Sequence, residues 1–174
     1  MKTEWYVITG APSSGKTTLI NFLEKLGYQA VHEVARVLID EEIKKGKTLE
    51  DIRKNDVEFQ GKILKIKLEI ESKLPKNKIV FLDRGIPDNI AYLKAYGLDF
   101  KDVLKYCKEK TYRKIFLLER LPFEKDYARI ENEEIAEKLH FLIKEAYANL
   151  GYEIVEIPAV KVEERLKIIL ANID

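Results

Sequence analysis

A chain of 174 residues is long enough for one real hydrophobic core and too short for two independent domains. With 46% hydrophobic and 35% charged residues it is globular in composition, and the formal charge of +1 left by 31 basic and 30 acidic residues gives no general attraction to nucleic acid or to an anionic membrane. The single cysteine, Cys107, excludes an internal disulfide, and one cysteine with two histidines is a poor donor set for zinc, so a reducing, cytoplasmic setting is expected.

The amino terminus, MKTEWYVITG, reads as a strand over residues 5 to 9 rather than as an apolar signal core, and no run reaches the roughly eighteen apolar residues of a membrane span. A soluble, unprocessed chain without stable membrane association is expected. After Gly10 a helical pattern covers 16 to 26, a strand covers 28 to 31, and Val34, Val37, Leu38 and Ile43 recur at helical spacing until a Lys- and Gly-containing break at 44 to 47. The spacing then predicts one long helix over 51 to 74, closed before Pro75, a buried strand over 78 to 82, and a helix over 87 to 96 capped by Gly97. A short helix over 100 to 108, strands over 114 to 118 and 153 to 157, and helices over 133 to 150 and 160 to 171 complete the chain. Leu-Gly-Tyr occurs at 26 to 28 and at 150 to 152, each time between a helix and a strand, where glycine can take the left-handed cap conformation. Short strands alternating with helices imply an α/β fold, a mainly parallel sheet covered on both faces, in a single domain spanning 1 to 174.

The strongest motif is GAPSSGKTT, which comprises Gly10, Ala11, Pro12, Ser13, Ser14, Gly15, Lys16, Thr17 and Thr18. It satisfies G-x-x-x-x-G-K-[ST] between a strand and a helix, the context that phosphate binding requires. Backbone N–H groups and the helix amino end meet phosphate oxygens, Lys16 places an ammonium near the β- and γ-phosphates, and the Thr17 hydroxyl is suited to Mg²⁺. Nucleoside triphosphate binding follows.

A second carboxylate for Mg²⁺ is expected at the end of a neighbouring strand, and Asp83, ending the run IVFL, stands where such a ligand belongs, although an ordinary helix-start acid has the same pattern. Arg84 beside it would repel a cation, so it is read as turned toward a transferred phosphoryl group or an acceptor. An Arg84 that only pairs with Glu33 or Asp88 would not speak for a kinase. In HEVAR, Glu33 and Arg36 share one helical face; the carboxylate is either a base for a hydroxyl proton or a helix-start acid paired with Arg36. Asp88 is likewise either near the site or simply a first-turn acid, and His32 is read as packed or solvated. Gln60 falls inside the apolar arc of Val57, Phe59, Ile63, Leu64, Leu68 and Ile70, where its amide satisfies a local backbone group or points into an acceptor pocket. The stretch ERLPFEKDYARIENEE, with Arg120, Asp126 and Arg129, reads as a lid over about 119 to 131 or as a solvated loop. The turn at Pro158 and Ala159 is a candidate wall for the nucleobase. No N-K-x-D guanine motif is present, which favours ATP, with GTP possible.

With these residues in view, the chain resembles the AAA-type ATPase-like subgroup of P-loop proteins that includes the nicotinamide riboside kinase domain of bacterial NAD regulators. The resemblance rests on VITGAPSSGKTTLI, HEVAR, the Phe59-Gln60 pair, FLDRGIPDNIAYL, the Asp126/Arg129 pair and LGYEIVEIPAVKVEERLKIIL, and spans nearly the whole chain. More distantly it is similar to deoxynucleoside kinases, and that similarity implies a base role for Glu33, an acid-Arg pair at Asp83 and Arg84, and a lid arginine at Arg129. It also implies a five-stranded sheet in the order 2-3-1-4-5.

The expected activity is Mg²⁺-dependent ATP phosphotransfer to a small nucleoside- or vitamin-like hydroxyl compound. Thr17 and Asp83 are the expected metal residues; Lys16, Arg120 and Arg129 the phosphate-charge residues; Glu33, Arg36, Gln60, Arg84 and Asp88 the acceptor-side residues. The alternative is an NTPase switch whose lid signals to a protein or lipid partner. A nucleic-acid-processing ATPase is disfavoured by the neutral charge and the lack of a basic stripe.

Overall fold

Runs of branched and aromatic residues too short for helices become strands, and those at residues 5–9, 80–83 and 114–118 are buried throughout. A computed structural model of the chain describes residues 3–107, 110–122, 127–128 and 130–173. Strands β1 (Trp5–Thr9), β2 (Gln29–Val31), β3 (Val80–Asp83), β4 (Lys114–Leu118) and β5 (Ile154–Ile157) form one parallel sheet in the order 2-3-1-4-5, as expected. Alternate strand residues feed two cores: Trp5, Val7, Leu82 and Leu117 lie with Tyr112, Ile143 and Tyr147, whereas Tyr6, Ile8, Phe81 and Phe116 pack on Leu19, Ile20 and Ile169. Helices α5 (Pro87–Ala95) and α7 (Glu133–Asn149) contribute to the first face; α1 (Lys16–Lys25) and α8 (Val162–Ala171) contribute to the second.

The remaining helices wall off one end of the sheet. Helix α2 (Val34–Lys44) follows β2, and residues 51 to 74 form two helices rather than one: α3 (Leu49–Arg53) and α4 (Asp56–Lys73). The break has a local cause. Asn55 leaves helical geometry and its side chain accepts the Glu58 N–H, starting α4 afresh, while Thr48 and Asp51 form a capping box on α3. Val57, assigned to the apolar arc, is exposed at 56% in the first turn of α4. Helix α6 (Lys101–Leu104) is shorter than expected. The glycines of both Leu-Gly-Tyr tripeptides, Gly27 and Gly151, do take positive φ, 91° and 73°. Among the described residues, no helix is long and apolar enough to cross a membrane.

The register decides what comes next. Ile8 pairs with Asp83 and Thr9 with Leu117, so the carboxyl ends of β1 and β3 lie side by side and the residues following each share one crevice.

Candidate active site

The phosphate loop leaves β1 after Thr9 and enters α1 at Lys16, with Gly15 at the N-cap in the left-handed conformation, φ 82°. Lys16 is 6% exposed, and its ammonium donates to the carbonyl oxygens of Gly10 and Ala11, both at 3.1 Å, and to Ser14 Oγ at 3.2 Å. It therefore lies across the cradle where phosphate oxygens would replace these acceptors. The loop is braced from behind by a residue the sequence reading missed. Arg165, 2% exposed, donates to the carbonyls of Ser14 at 2.6 Å, Pro158 at 2.8 Å and Glu119 at 3.2 Å. One guanidinium thus joins the phosphate loop, the end of β4 and the 158–159 turn. A charged residue one helical turn from buried Ile169 was its only sequence signal.

The turn after β3 holds the densest polar network. Arg84 has φ 70°, a left-handed conformation that costs a non-glycine residue about 1–3 kcal/mol unless its surroundings hold it there. They do: its side chain donates to Glu33 Oε1 at 2.9 Å, the Gly10 carbonyl at 2.9 Å and Asp88 Oδ1 at 3.0 Å, and lies over the Tyr92 ring at 5.2 Å. Burial opposes the Arg84 charge, but Tyr92, Glu33 and Asp88 outweigh it and keep the guanidinium charged. Asp88 is 1% exposed and accepts on both oxygens, from Thr9 Oγ1 and Arg84 on one and from Tyr147 Oη and the Gly85 N–H on the other. It acts as the anchor of the turn. Arg84 lines the cavity but pairs with both Glu33 and Asp88, so Arg84 by itself carries no argument for an acceptor.

Gly85 occupies a position with no room for a side chain: a Cβ there would meet Tyr147 Oη at 2.7 Å and the Tyr112 ring at 2.9 Å. Tyr112 Oη accepts the Ile86 N–H at 2.8 Å and donates to Glu71 Oε1 at 2.8 Å. Burial pushes the Glu71 carboxyl up to about 7. From the same face of α4, Lys67 donates to the Gly85 carbonyl at 2.8 Å and to Asn89 Oδ1 at 3.0 Å. Burial pulls its ammonium down, with Asp88 and Glu71 opposing.

Two carboxylates flank Arg84 differently. Burial raises Glu33, yet Arg84, Lys16 and Arg36 together overcome it and bring the carboxyl down to about 2. Asp83 moves the other way: burial, reinforced by Glu33, pushes it up to about 7. Asp83 Oδ1 is buried without a hydrogen-bond partner among the described residues, which fits an oxygen awaiting a cation. No group of three or more His, Cys, Asp or Glu among the described residues is arranged to hold a metal by itself, so a cation here would draw other ligands from Thr17 and the nucleotide.

A cavity of about 510 Å³ joins these parts. Pro12 to Thr18 line one end with Leu121 and Pro122; Glu33, Arg36 and Arg84 stand in the middle; Phe59, Gln60, Lys67, Asn89 and Tyr92 line the far end. At that end Arg53 and Glu131, 8% and 4% exposed, form an ion pair at 3.3 Å to which Tyr96 Oη donates at 2.8 Å, while Arg53 lies 4.7 Å from the Phe59 ring centre. Ala128 packs with Val34, Ile39, Phe59 and Ile63. Tyr127 donates to Asp40 at 2.6 Å, which ties this residue to α2. Gly10, Ala11, Asp83, Pro158 and Ala159 are not among the residues that line it. Arg120 is also outside it, 3.7 Å from Glu133. Asp126 and Arg129 are outside the described residues.

A family model described as an AAA domain matches residues 5–165. No curated protein sequence matches the chain. Among solved structures, a deoxyadenosine kinase from M. mycoides with dCMP and dCDP superposes with a TM-score of 0.69 at 17% identity, covering 96% of each chain. A NadR protein in complex with NR gives 0.62 at 21% identity over 89% of this chain and 45% of that one, and a thymidylate kinase from Ehrlichia chaffeensis gives 0.67 at 16% over 98% and 99%. At such identities the likeness is one of fold.

Proposed function

The chain belongs to this AAA domain family of P-loop proteins and has the fold of nucleoside and nucleotide kinases, and from that premise we propose that it is an ATP-dependent phosphotransferase acting on a small nucleoside- or vitamin-like hydroxyl compound. The observation that carries the reading is the continuity of the cavity: Glu33 lines it together with the phosphate loop and with Phe59, Gln60 and Tyr92. Beyond the loop an NTPase needs only a positioned water. A phosphotransferase needs room for an acceptor next to the loop, and the cavity of about 510 Å³ runs past the loop to Phe59, Gln60 and Tyr92. The neighbours solved with dCMP and with NR support a nucleoside-like acceptor.

In this reading the triphosphate lies on residues 10 to 18, and Lys16 exchanges its loop carbonyls for β- and γ-phosphate oxygens. The acceptor hydroxyl is directed at Glu33, whose carboxylate Arg84 holds in place and keeps ionised. As the acceptor oxygen bonds to the γ-phosphorus and the bond to ADP breaks, Glu33 takes the hydroxyl proton. A carboxylate brought down to about 2 is a weak base, which suits a loose transition state in which the proton moves late. Thr17 and Asp83 are the residues for Mg²⁺, which when bound would neutralise charge on the phosphates. The lid over 119 to 131, the lid role of Arg120 and Arg129, the 158–159 nucleobase wall, the preference for ATP over GTP and a cytoplasmic setting remain part of the proposal on sequence grounds.

One observation favours the NTPase switch instead: Arg84 is held by two carboxylates rather than turned to an acceptor. A single assay separates the readings. With ATP and Mg²⁺, a panel of nucleosides and vitamins is expected to yield acceptor-dependent ADP and a phosphorylated product, and Glu33→Gln to lower transfer about 10²–10⁴-fold with ATP binding retained. Turnover indifferent to every acceptor would count sharply against the phosphotransferase. Undiminished transfer in Glu33→Gln would remove the residue from the chemistry.

A further inference from the structure

The phosphate loop turns through positive φ at two positions, 62° at Ser13 and 82° at Gly15, and its carbonyls there are held from outside the loop. The Leu121 N–H donates to the Ser13 carbonyl at 2.9 Å, and Arg165 Nη1 donates to the Ser14 carbonyl at 2.6 Å. A carbonyl can only accept, so these directions are fixed. Both donors stand on one flank: a Cβ on Gly15 would meet Leu121 Cδ1 at 3.3 Å and Arg165 Nη1 at 3.4 Å.

The other side of each peptide follows from its planarity. A trans peptide carries its C=O and its N–H on opposite sides, and no peptide among the described residues is cis. The Ser14 and Gly15 N–H groups therefore point away from Leu121 and Arg165. Neither has a protein acceptor among the described residues, and successive unpaired N–H groups of this kind make an anion-binding concavity. Ser13 to Thr17 line the cavity, whereas Arg165 does not. Its remaining bonds, to the Pro158 and Glu119 carbonyls at 2.8 and 3.2 Å, fix the guanidinium fork in place from the side away from the loop's own chain neighbours.

We propose that Arg165, on α8, is a positioning residue for the triphosphate donor: by holding the Ser14–Gly15 peptide with its carbonyl outward, it keeps the Gly15 N–H aimed at the bound phosphates. The inference rests on the donor half of the proposed function, a triphosphate on residues 10 to 18, and extends that site to a side chain that touches no ligand. Without the guanidinium, the Ser14 carbonyl loses its partner at a residue with no exposed surface, and the peptide is free to turn over. Glycine at position 15 makes the turnover cheap. The flipped peptide presents an oxygen where a phosphate needs a donor.

The test reads dissociation constants by calorimetry, with Mg²⁺, for ATP and for inorganic tripolyphosphate, which has the phosphates and no base. In Arg165→Met, at a temperature where the variant is folded, both are expected to weaken about tenfold or more, by factors that agree within about twofold. Arg165→Lys keeps the positive charge but cannot hold three carbonyls in one fork. It is expected to weaken both ligands about threefold or more, and carries the test should Arg165→Met fail to fold. A merely structural role lowers the unfolding temperature and leaves both constants unchanged, which overturns the proposal. Parent-like affinity in Arg165→Lys overturns it as well, since charge alone would then suffice. So does a loss confined to ATP, or an unaltered protein that binds ATP and not tripolyphosphate, because the loop would then not be what holds the donor. Both constants are read without an acceptor, so a protein that binds the donor and phosphorylates nothing leaves this proposal standing while the phosphotransferase reading falls. An unaltered protein that binds neither ligand overturns both.

Discussion

At the phosphate end of the cavity, one continuous loop and a helix start supply the binding groups, mostly from backbone, whereas at the acceptor end Arg53, Gln60, Lys67, Asn89, Tyr92 and Glu131 arrive from four separate stretches of chain. The first half is local, and its geometry follows from glycines and a helix amino end. The second depends on side chains locked to one another over long sequence distances, as in the Arg53–Glu131 pair 78 residues apart. A local site is damaged chiefly by changing the group that touches the ligand. A distributed site is damaged as readily by changing whatever orients that group.

The largest expected effect breaks the local half: Lys16→Ala should lower phosphoryl transfer about 10²–10³-fold, read in a coupled ADP assay, while calorimetry finds acceptor binding intact. The distributed half should respond to changes that touch no ligand. Gly85→Ala forces a methyl group against Tyr147 and Tyr112 and is expected to destabilise the fold by about 1–3 kcal/mol in denaturant unfolding. Tyr147→Phe in the same chain should recover part of that loss by removing the closest atom.

Glu71 gives a pH signature of similar size. Its carboxyl stands near 7 in the fold against 4.5 unperturbed, so between those values the folded state binds more protons than the unfolded one and stability falls as pH rises. The contribution is intact below about 4.5 and gone above about 7. In Glu71→Gln the difference in unfolding free energy between pH 5 and pH 8 should therefore be smaller than in the unaltered protein by about 1–3 kcal/mol. An identical pH dependence in the two proteins would mean that Glu71 is ionised in the fold. The smallest effect is a control on the same helix: Gly61, beside Gln60, has nothing within 4 Å of an added Cβ, and Gly61→Ala should stabilise by about 0.4–1 kcal/mol without changing transfer.

Much of the fold was legible. The strand over residues 114 to 118 and the helix start at Lys16 coincide with the observed boundaries, because uniform apolar runs and a motif with fixed geometry leave little choice. The break between α3 and α4 was not, since the apolar recurrence continues through it and only the Asn55 cap marks the restart. Gln60, Lys67 and Glu71 all fall on one face of α4, and that spacing of polar residues could have identified the stripe. Surface helices carry lysines and glutamates at every spacing, which is why it did not stand out. Arg53 with Glu131, and Arg165 with three carbonyls, had no comparable signal, because their partners lie on other elements.

By itself the sequence determined the phosphate loop, the alternation of strands and helices, and Asp83 as a carboxylate at a strand end, all of them consequences of neighbours within a few positions. The 2-3-1-4-5 order came from resemblance, not from any local rule. The fate of each charge, by contrast, depends on the packing in three dimensions. Asp83 and Glu33 are both acids beside Arg84, yet one is pushed up to about 7 and the other brought down to about 2, according to which has the guanidinium at hydrogen-bonding distance and which is buried with an oxygen unpaired. Electrostatic energy depends on distance and solvent access, and neither is written in the order of residues along the chain.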